Sequence, residues 1–186
     1  MEAFLTSTLL VALAEIGDKT QLLSFVLAAR LRRPVAIIAG IFVATLANHG
    51  LAGWAGAWVA TFFSPETLRW MVGIAFIVFG LWTLKPDELG DDEAPQAGHA
   101  SAFMTTLVAF FLAEMGDKTQ FATIALAARY AESLLWVIGG TTLGMMAANA
   151  PAVLIGEKLA HKLPLKAIRW TAAAVFAATG LMMLIV

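Results

Sequence analysis

The chain of 186 residues is 60% hydrophobic and only 13% charged, with a formal net charge of −1 and a mean hydropathy of +0.82. Soluble domains run about 45–50% apolar and about 25% charged, so this composition belongs to the membrane class. Near-neutrality gives no electrostatic case for a nucleic-acid or acidic surface partner, and the absence of cysteine excludes disulfides, thiolate zinc sites and cysteine nucleophiles.

In chain order, apolar stretches bordered by breakers and charges fall at about 4–28, 35–62, 67–85, 102–128, 134–157 and 165–186. A hydrocarbon core about 30 Å thick needs roughly 20 apolar residues per helix, which predicts an all-α integral membrane protein with six transmembrane helices. Arg30, Arg32, Arg33 and Pro34 separate the first two stretches, and Ser64-Pro65-Glu66 ends the second. No cleavable leader is expected, because Met1-Glu2 is not basic and the first stretch carries acids that a signal sequence would not contain. Segment 86–101 (PDELGDDEAPQAGHAS) holds five acids, two prolines and two glycines without periodicity. It reads as a flexible aqueous linker. Three histidines, His49, His99 and His161, lie far apart and show no metal-ligand spacing.

One motif occurs twice. LAEIGDKTQLLSFVLAAR (13–30) and LAEMGDKTQFATIALAAR (112–129) are identical at 12 of 18 positions, every charged one included. Weaker echoes follow after one inserted residue: Arg69-Trp70 as Arg169-Trp170, Gly56 as Gly156, Gly80-Leu81 as Gly180-Leu181. The expected organisation is therefore a three-helix repeat over 1–85, the linker 86–101, and a second three-helix repeat over 102–186. Three crossings are odd, so the second half starts on the opposite side and the repeats are expected to be inverted, an arrangement that puts a transport site near the midplane. Eight Lys and Arg (Arg30, Arg32, Arg33, Lys85, Lys158, Lys162, Lys166, Arg169) fall on the linker's side, against Arg69 and Arg129 on the other. The positive-inside rule then predicts a multi-pass protein of the cell's inner (plasma) membrane, with both termini outside and the linker cytoplasmic.

The motifs put Glu15, Asp18, Glu114 and Asp117, with Lys19 and Lys118, at mid-helix. Each charge there costs roughly 2.5–3.5 kcal/mol, on the order of 15–20 kcal/mol for all six. A cost met twice in one pattern calls for a use. Glu15 and Asp18 are i and i+3 and so share a helical face, which Gln21 extends; Glu114, Asp117 and Gln120 repeat it. Two such faces meeting would offer four carboxylates and two amide oxygens, a set suited to hard or borderline cations such as Ca²⁺, Mn²⁺ and Mg²⁺. Lack of cysteine and of a histidine cluster argues against Zn²⁺ or Cu⁺. A plainer alternative pairs Glu15 with Lys19 and Glu114 with Lys118 as i,i+4 ion pairs, which leaves Asp18 and Asp117 without partners. The two lysines are expected to compensate charge when no metal is bound. Asn48 and Asn149, mid-way along the second and fifth stretches, are secondary candidates for lining a cation site, although amides also join helices. His49, the formal counterpart of Asn149, is expected to be a hydrogen-bonded core residue. Gly50, Gly53, Gly56, Gly139, Gly140 and Gly144 mark close helix packing, Gly17 and Gly116 a close approach or bend, and Trp54, Trp58, Trp70 and Trp170 interfacial anchors.

Four carboxylates against two lysines leave two excess negative charges. Like charges and low dielectric both favour protonated carboxyls, so protons and a divalent cation should compete for the same oxygens.

The duplicated Glu15-Ile16-Gly17-Asp18-Lys19-Thr20 and Glu114-Met115-Gly116-Asp117-Lys118-Thr119 resemble the E-x-G-D-(K/R)-(T/S) signature of the Gdt-one/MneA family of cation/proton exchangers. The resemblance covers nearly the whole chain. It implies export of Mn²⁺, or next Ca²⁺, against protons, with Glu15, Asp18, Glu114 and Asp117 as cation ligands, the metal as substrate and no cofactor. The alternatives are a divalent-cation channel, a small-metabolite exporter, a membrane scaffold, and an intramembrane aspartyl protease built on Asp18 and Asp117. That last class shows G-x-G-D on one helix and a different motif on the other, whereas Glu15 and Glu114 stand here in place of the first glycine.

Overall fold

A computed structural model describes residues 1–85, 101–155 and 164–185. All of the linker 86–101 except Ser101 lies outside the described residues, as do His99, Gly156, Lys158, His161 and Lys162. Among the described residues every regular element is helical. Helix α1 (Glu2–Glu15) and α2 (Lys19–Leu31) fill the first apolar stretch, α3 (Pro34–Ala60) the second and α4 (Pro65–Thr83) the third. Helix α5 (Ala102–Glu114) and α6 (Lys118–Arg129) fill the fourth. After a 3-10 turn at Ala131–Ser133, α7 (Leu134–Ile155) and α8 (Leu165–Ile185) fill the last two.

Among the described residues, four helices are long and apolar enough to cross a membrane: Pro34–Ala60, Pro65–Thr83, Ala131–Ile155 and Lys166–Ile185. The first and fourth stretches are not the continuous helices expected. Each is two short helices around a three-residue break, and α1 with 14 residues and α5 with 13 fall short of the roughly 20 that a straight span requires. Elsewhere the helix ends follow local chemistry. Prolines open α3 and α4 in the first turn, where the missing N–H has no intrahelical partner to lose. Ser64 and Ser101 cap α4 and α5 by accepting the N–H of Thr67 and Met104, each at 3.2 Å.

Glycines bring the helices together. An added Cβ at Gly140 would come within 2.5 Å of the Phe4 carbonyl and one at Gly144 within 2.6 Å of the Thr8 carbonyl, so α7 lies directly against α1. Gly40 faces Phe103 and Thr106 at the start of α5, and Gly56 faces Ile124 and Ala127 of α6. Gly53 meets Leu134 and Ile138 of α7, whereas Gly50 meets nothing within 4 Å and does not serve the packing role expected of it. Helices α4 and α8 cross at Gly73, Gly80 and Gly180, beside Phe76 and Phe176 with ring centroids 5.8 Å apart.

Contacts at the helix ends fix which ends adjoin. The Tyr130 hydroxyl, just past α6, donates to Glu2 Oε1 at the start of α1 (2.9 Å). At the other end, Leu31, the last residue of α2, and Arg33 line one cavity with Ser101, Ala102 and Phe103 at the start of α5. Trp54, Trp58, Trp70 and Trp170 are all exposed, the placement expected of side chains facing lipid or its interface.

Candidate cation site

The two breaks have the same construction. Glu15 ends α1, Ile16 is extended, Gly17 has φ +82°, and Asp18 is the N-cap of α2. Glu114, Met115, Gly116 with φ +76° and Asp117 repeat the order between α5 and α6. Positive φ is cheap only for glycine and stops a helix; an Asp directly after it starts another. Gln21 and Gln120 then reach back. Their Oε1 atoms accept the N–H of Gly17 (2.9 Å) and Gly116 (2.8 Å), a relative of the cap in which a third-position Gln serves the residues before the helix. Glu15 and Asp18 therefore do not share one face of a continuous helix, as their spacing suggested. They sit on the two lips of a break, and each glutamine oxygen already spends one lone pair on the backbone.

All four acids are buried, with Glu15 and Glu114 0% exposed and Asp117 6%. Glu15, Glu114 and Asp117 each offer an oxygen within 4.8 Å of the other two. Asp18 forms an ion pair with Lys118, and Lys19 Nζ lies 3.9 Å from Asp117 Oδ1. The lysines thus reach across to the aspartate of the other copy.

Hydroxyls and amides orient the acids. Thr20 Oγ1 donates to Glu15 Oε2 (2.7 Å), and Thr119 Oγ1 to Glu114 Oε2 (3.1 Å) and Asp117 Oδ2 (3.3 Å). Asn149 Nδ2 lies 3.5 Å from Glu15 Oε2, and its Oδ1 accepts from Ser24 Oγ at 2.8 Å. Asn48 is one step removed: its Nδ2 donates to the Phe111 carbonyl (3.0 Å), and its Oδ1 accepts from Gln120 Nε2 (3.3 Å). Gln21 Nε2 donates instead to the Ala148 carbonyl (3.1 Å). Thr20 and Thr119, and Ser24 and Thr123, put a hydroxyl at the same place in both copies, a signal of these roles that the sequence itself carries. His49 also departs from expectation: it is fully buried and neither ring nitrogen has a hydrogen-bond partner.

Oε1 of Glu15 and Oε1 of Glu114 have no hydrogen-bond partner either. Buried carboxylate oxygens left so are costly unless a cation or a proton meets them. Oxygen-only donors at this spacing suit a hard or borderline divalent cation. They do not suit an aspartyl dyad, which needs two aspartates sharing a proton, because Asp18 and Asp117 each face a lysine.

The family described as divalent cation/proton antiporter GDT1 matches residues 3–91 and 102–186. The chain is 52% identical over 176 residues to a Vibrio cholerae protein named "Putative manganese exporter", covering 95% of this chain and 87% of that one. It is 31% identical over 206 residues to the chloroplast protein PAM71 of Arabidopsis thaliana, covering 93% of this chain and 54% of the other. A GDT1-like protein of Synechocystis is 27% identical over 191 residues, covering 90% and 89%. No solved structure matches.

Proposed function

The chain belongs to the divalent cation/proton antiporter family GDT1, and from that premise we propose that it exports Mn²⁺ in exchange for protons through one site made of Glu15, Asp18, Glu114 and Asp117. It is a multi-pass membrane protein that transports a divalent cation, which is its cargo rather than a resident cofactor, and the family is one of transporters, not enzymes. The observation that carries the site is the convergence of three buried carboxylates, two of them with an unpartnered oxygen, at the point where two helices break. Broken helices beside a substrate site are a recurrent transporter device.

The end contacts support two inverted three-helix repeats, 1–85 and 102–186. With Glu2 beside Tyr130 and Leu31 beside Ser101, the first broken helix runs from one end of the bundle to the other and the second runs back. Glu2, Arg69 and Arg129 line one cavity, which supports counting those two arginines on the side of the N-terminus. On that count the termini face outward across the plasma membrane, and the linker lies in the cytoplasm.

The chemistry follows from charge. Without metal, Lys118 and Lys19 hold the two aspartates, and the glutamates take up protons in place of a cation. A divalent cation displaces those protons, and two protons per metal leave the site with the same net charge in both carrying states. Complete burial of the acids favours a carrier that closes over its cargo rather than an open channel. The name of the Vibrio relative supports Mn²⁺, while the oxygen-only donor set would also serve Ca²⁺. Flux into proteoliposomes with Mn²⁺, Ca²⁺ and Mg²⁺ in competition under an imposed pH gradient tests this: Mn²⁺ should move opposite to protons and resist competition. Flux that ignores the gradient would favour a channel, and preference for another solute would favour a metabolite exporter.

A further inference from the structure

Hydroxyls in a membrane helix commonly bond back to the carbonyl four residues earlier. Thr8, Thr83, Thr123 and Thr179 do so, each donating at 2.8 Å. Four other hydroxyls break the pattern. Ser7, Thr45 and Thr106 are fully buried, Thr142 is 4% exposed, and none of the four has a hydrogen-bond partner. An unmet buried polar group costs about 1–3 kcal/mol. The contrast is sharpest on α1, where Thr8 is satisfied and its neighbour Ser7 is not.

Two of the four stand in line with a glutamate. Ser7 packs against Gly140 of α7. It stands two helical turns, about 12 Å of rise, before Glu15. On α7, Thr142 precedes by two turns Asn149, which lies against Glu15. Thr106 packs against Gly40 of α3 and stands the same distance before Glu114. Thr45 lies one turn before Asn48, which bonds Gln120. Residues four apart share a helix face, so Ser7, Val11 and Glu15 form one column and Thr106, Phe110 and Glu114 another. Between each hydroxyl and its glutamate lies one apolar layer: Val11 with Met145 in the first column, Phe110 in the second. All three are 0% exposed and belong to a single packed cluster. Because α1 starts where α6 ends and α5 starts where α2 ends, the columns begin at opposite ends of the bundle.

We propose that Ser7 and Thr106 line two water-bearing half-routes that carry protons and hydrated cations from opposite faces to the carboxylates, closed by Val11 with Met145 on one side and by Phe110 on the other. The proposal rests on the exchanger function above and adds the paths and gates to it. In each route the hydroxyl stands in for water of hydration when the layer beneath it parts, which is why no fixed protein group occupies it.

The chain contains no cysteine, so single substitutions Ser7→Cys, Thr106→Cys and, as control, Thr8→Cys can be probed with a membrane-impermeant thiol reagent on vesicles of known orientation. Ser7→Cys should react only from the face where α1 starts, Thr106→Cys only from the face where α5 starts, and Thr8→Cys from neither. In parallel, Ser7→Ala and Thr106→Val delete hydroxyls that bond nothing, so melting temperature should hold or rise while Mn²⁺ flux falls below the wild-type rate. Two results overturn the routes while wild-type exchange persists: both cysteines reacting from one face or from neither, or both hydroxyl deletions transporting at the wild-type rate. Loss of pH-driven exchange in the wild type would instead overturn the underlying exchanger function, so the two failures are distinct.

Discussion

The two breaks share a motif and differ in their surroundings. Around Glu15, Thr20 donates at 2.7 Å, Asn149 adds a contact at 3.5 Å, and Asp18 is held by Lys118. Around Glu114, Thr119 is shared with Asp117 at 3.1 and 3.3 Å, and Lys19 approaches Asp117 only to 3.9 Å. Asp117 also caps its helix through the Thr119 N–H, whereas Asp18 makes no side-chain cap bond. The cause lies on the neighbouring helices. Helix α7 presents Ala148 and Asn149 to the first break, and α3 presents Asn48 to the second through Phe111 and Gln120. Identical motifs thus specify identical backbone breaks, while the helix packed against each one sets how tightly its acids are held.

Charge neutralisation should override this asymmetry and gives the largest effect. Glu15→Gln, Asp18→Asn, Glu114→Gln and Asp117→Asn should each lower Mn²⁺ flux by more than roughly 100-fold, since altering groups that merely orient ligands already costs about 10–100-fold. Flux assays on protein that still inserts and folds are the check, and tolerance confined to one half would break the idea of a shared site. The lysines should expose the asymmetry. Lys118→Met removes the partner of a buried aspartate and should cost about 3–5 kcal/mol. Lys19→Met breaks a longer pair whose lysine is 18% exposed and should cost less than Lys118→Met. Melting curves in detergent compare them, and equal losses would contradict the two different pairings. The smallest effect concerns the break itself. An added Cβ at Gly116 meets nothing within 4 Å, so Gly116→Ala should cost only the left-handed backbone penalty, about 1–2 kcal/mol. Gly116→Asn should recover part of it, and a loss well beyond that range would mean that something other than φ is at stake.

Much of this was legible in the sequence, and the limits have physical causes. Duplication singled out Glu15, Glu114 and Asp117, which the fold brings together, and Asp18, which pairs with Lys118. The breaks were also written there: Gly between two acids, then Asp, then Gln three residues on is a stop followed by a capped start. Apolar stretches on both sides of 16–18 and 115–117 hid them, because hydropathy is blind to φ. The crosswise lysines were not legible, since they depend on how two segments 99 positions apart in sequence approach in space. The bare nitrogens of His49 were not legible for the same reason: burial can be guessed from an apolar context, but a partner on another helix cannot.

The central claim is that metal and protons occupy the same buried oxygens. Mn²⁺ binding to purified protein, measured across about pH 5.5 to 8.5, tests it most directly. Protons taken up by the carboxyls exclude the cation, so affinity should weaken steadily as pH falls, and Glu15→Gln or Glu114→Gln should both weaken binding and flatten that dependence. Affinity indifferent to pH in the wild type would contradict shared occupancy.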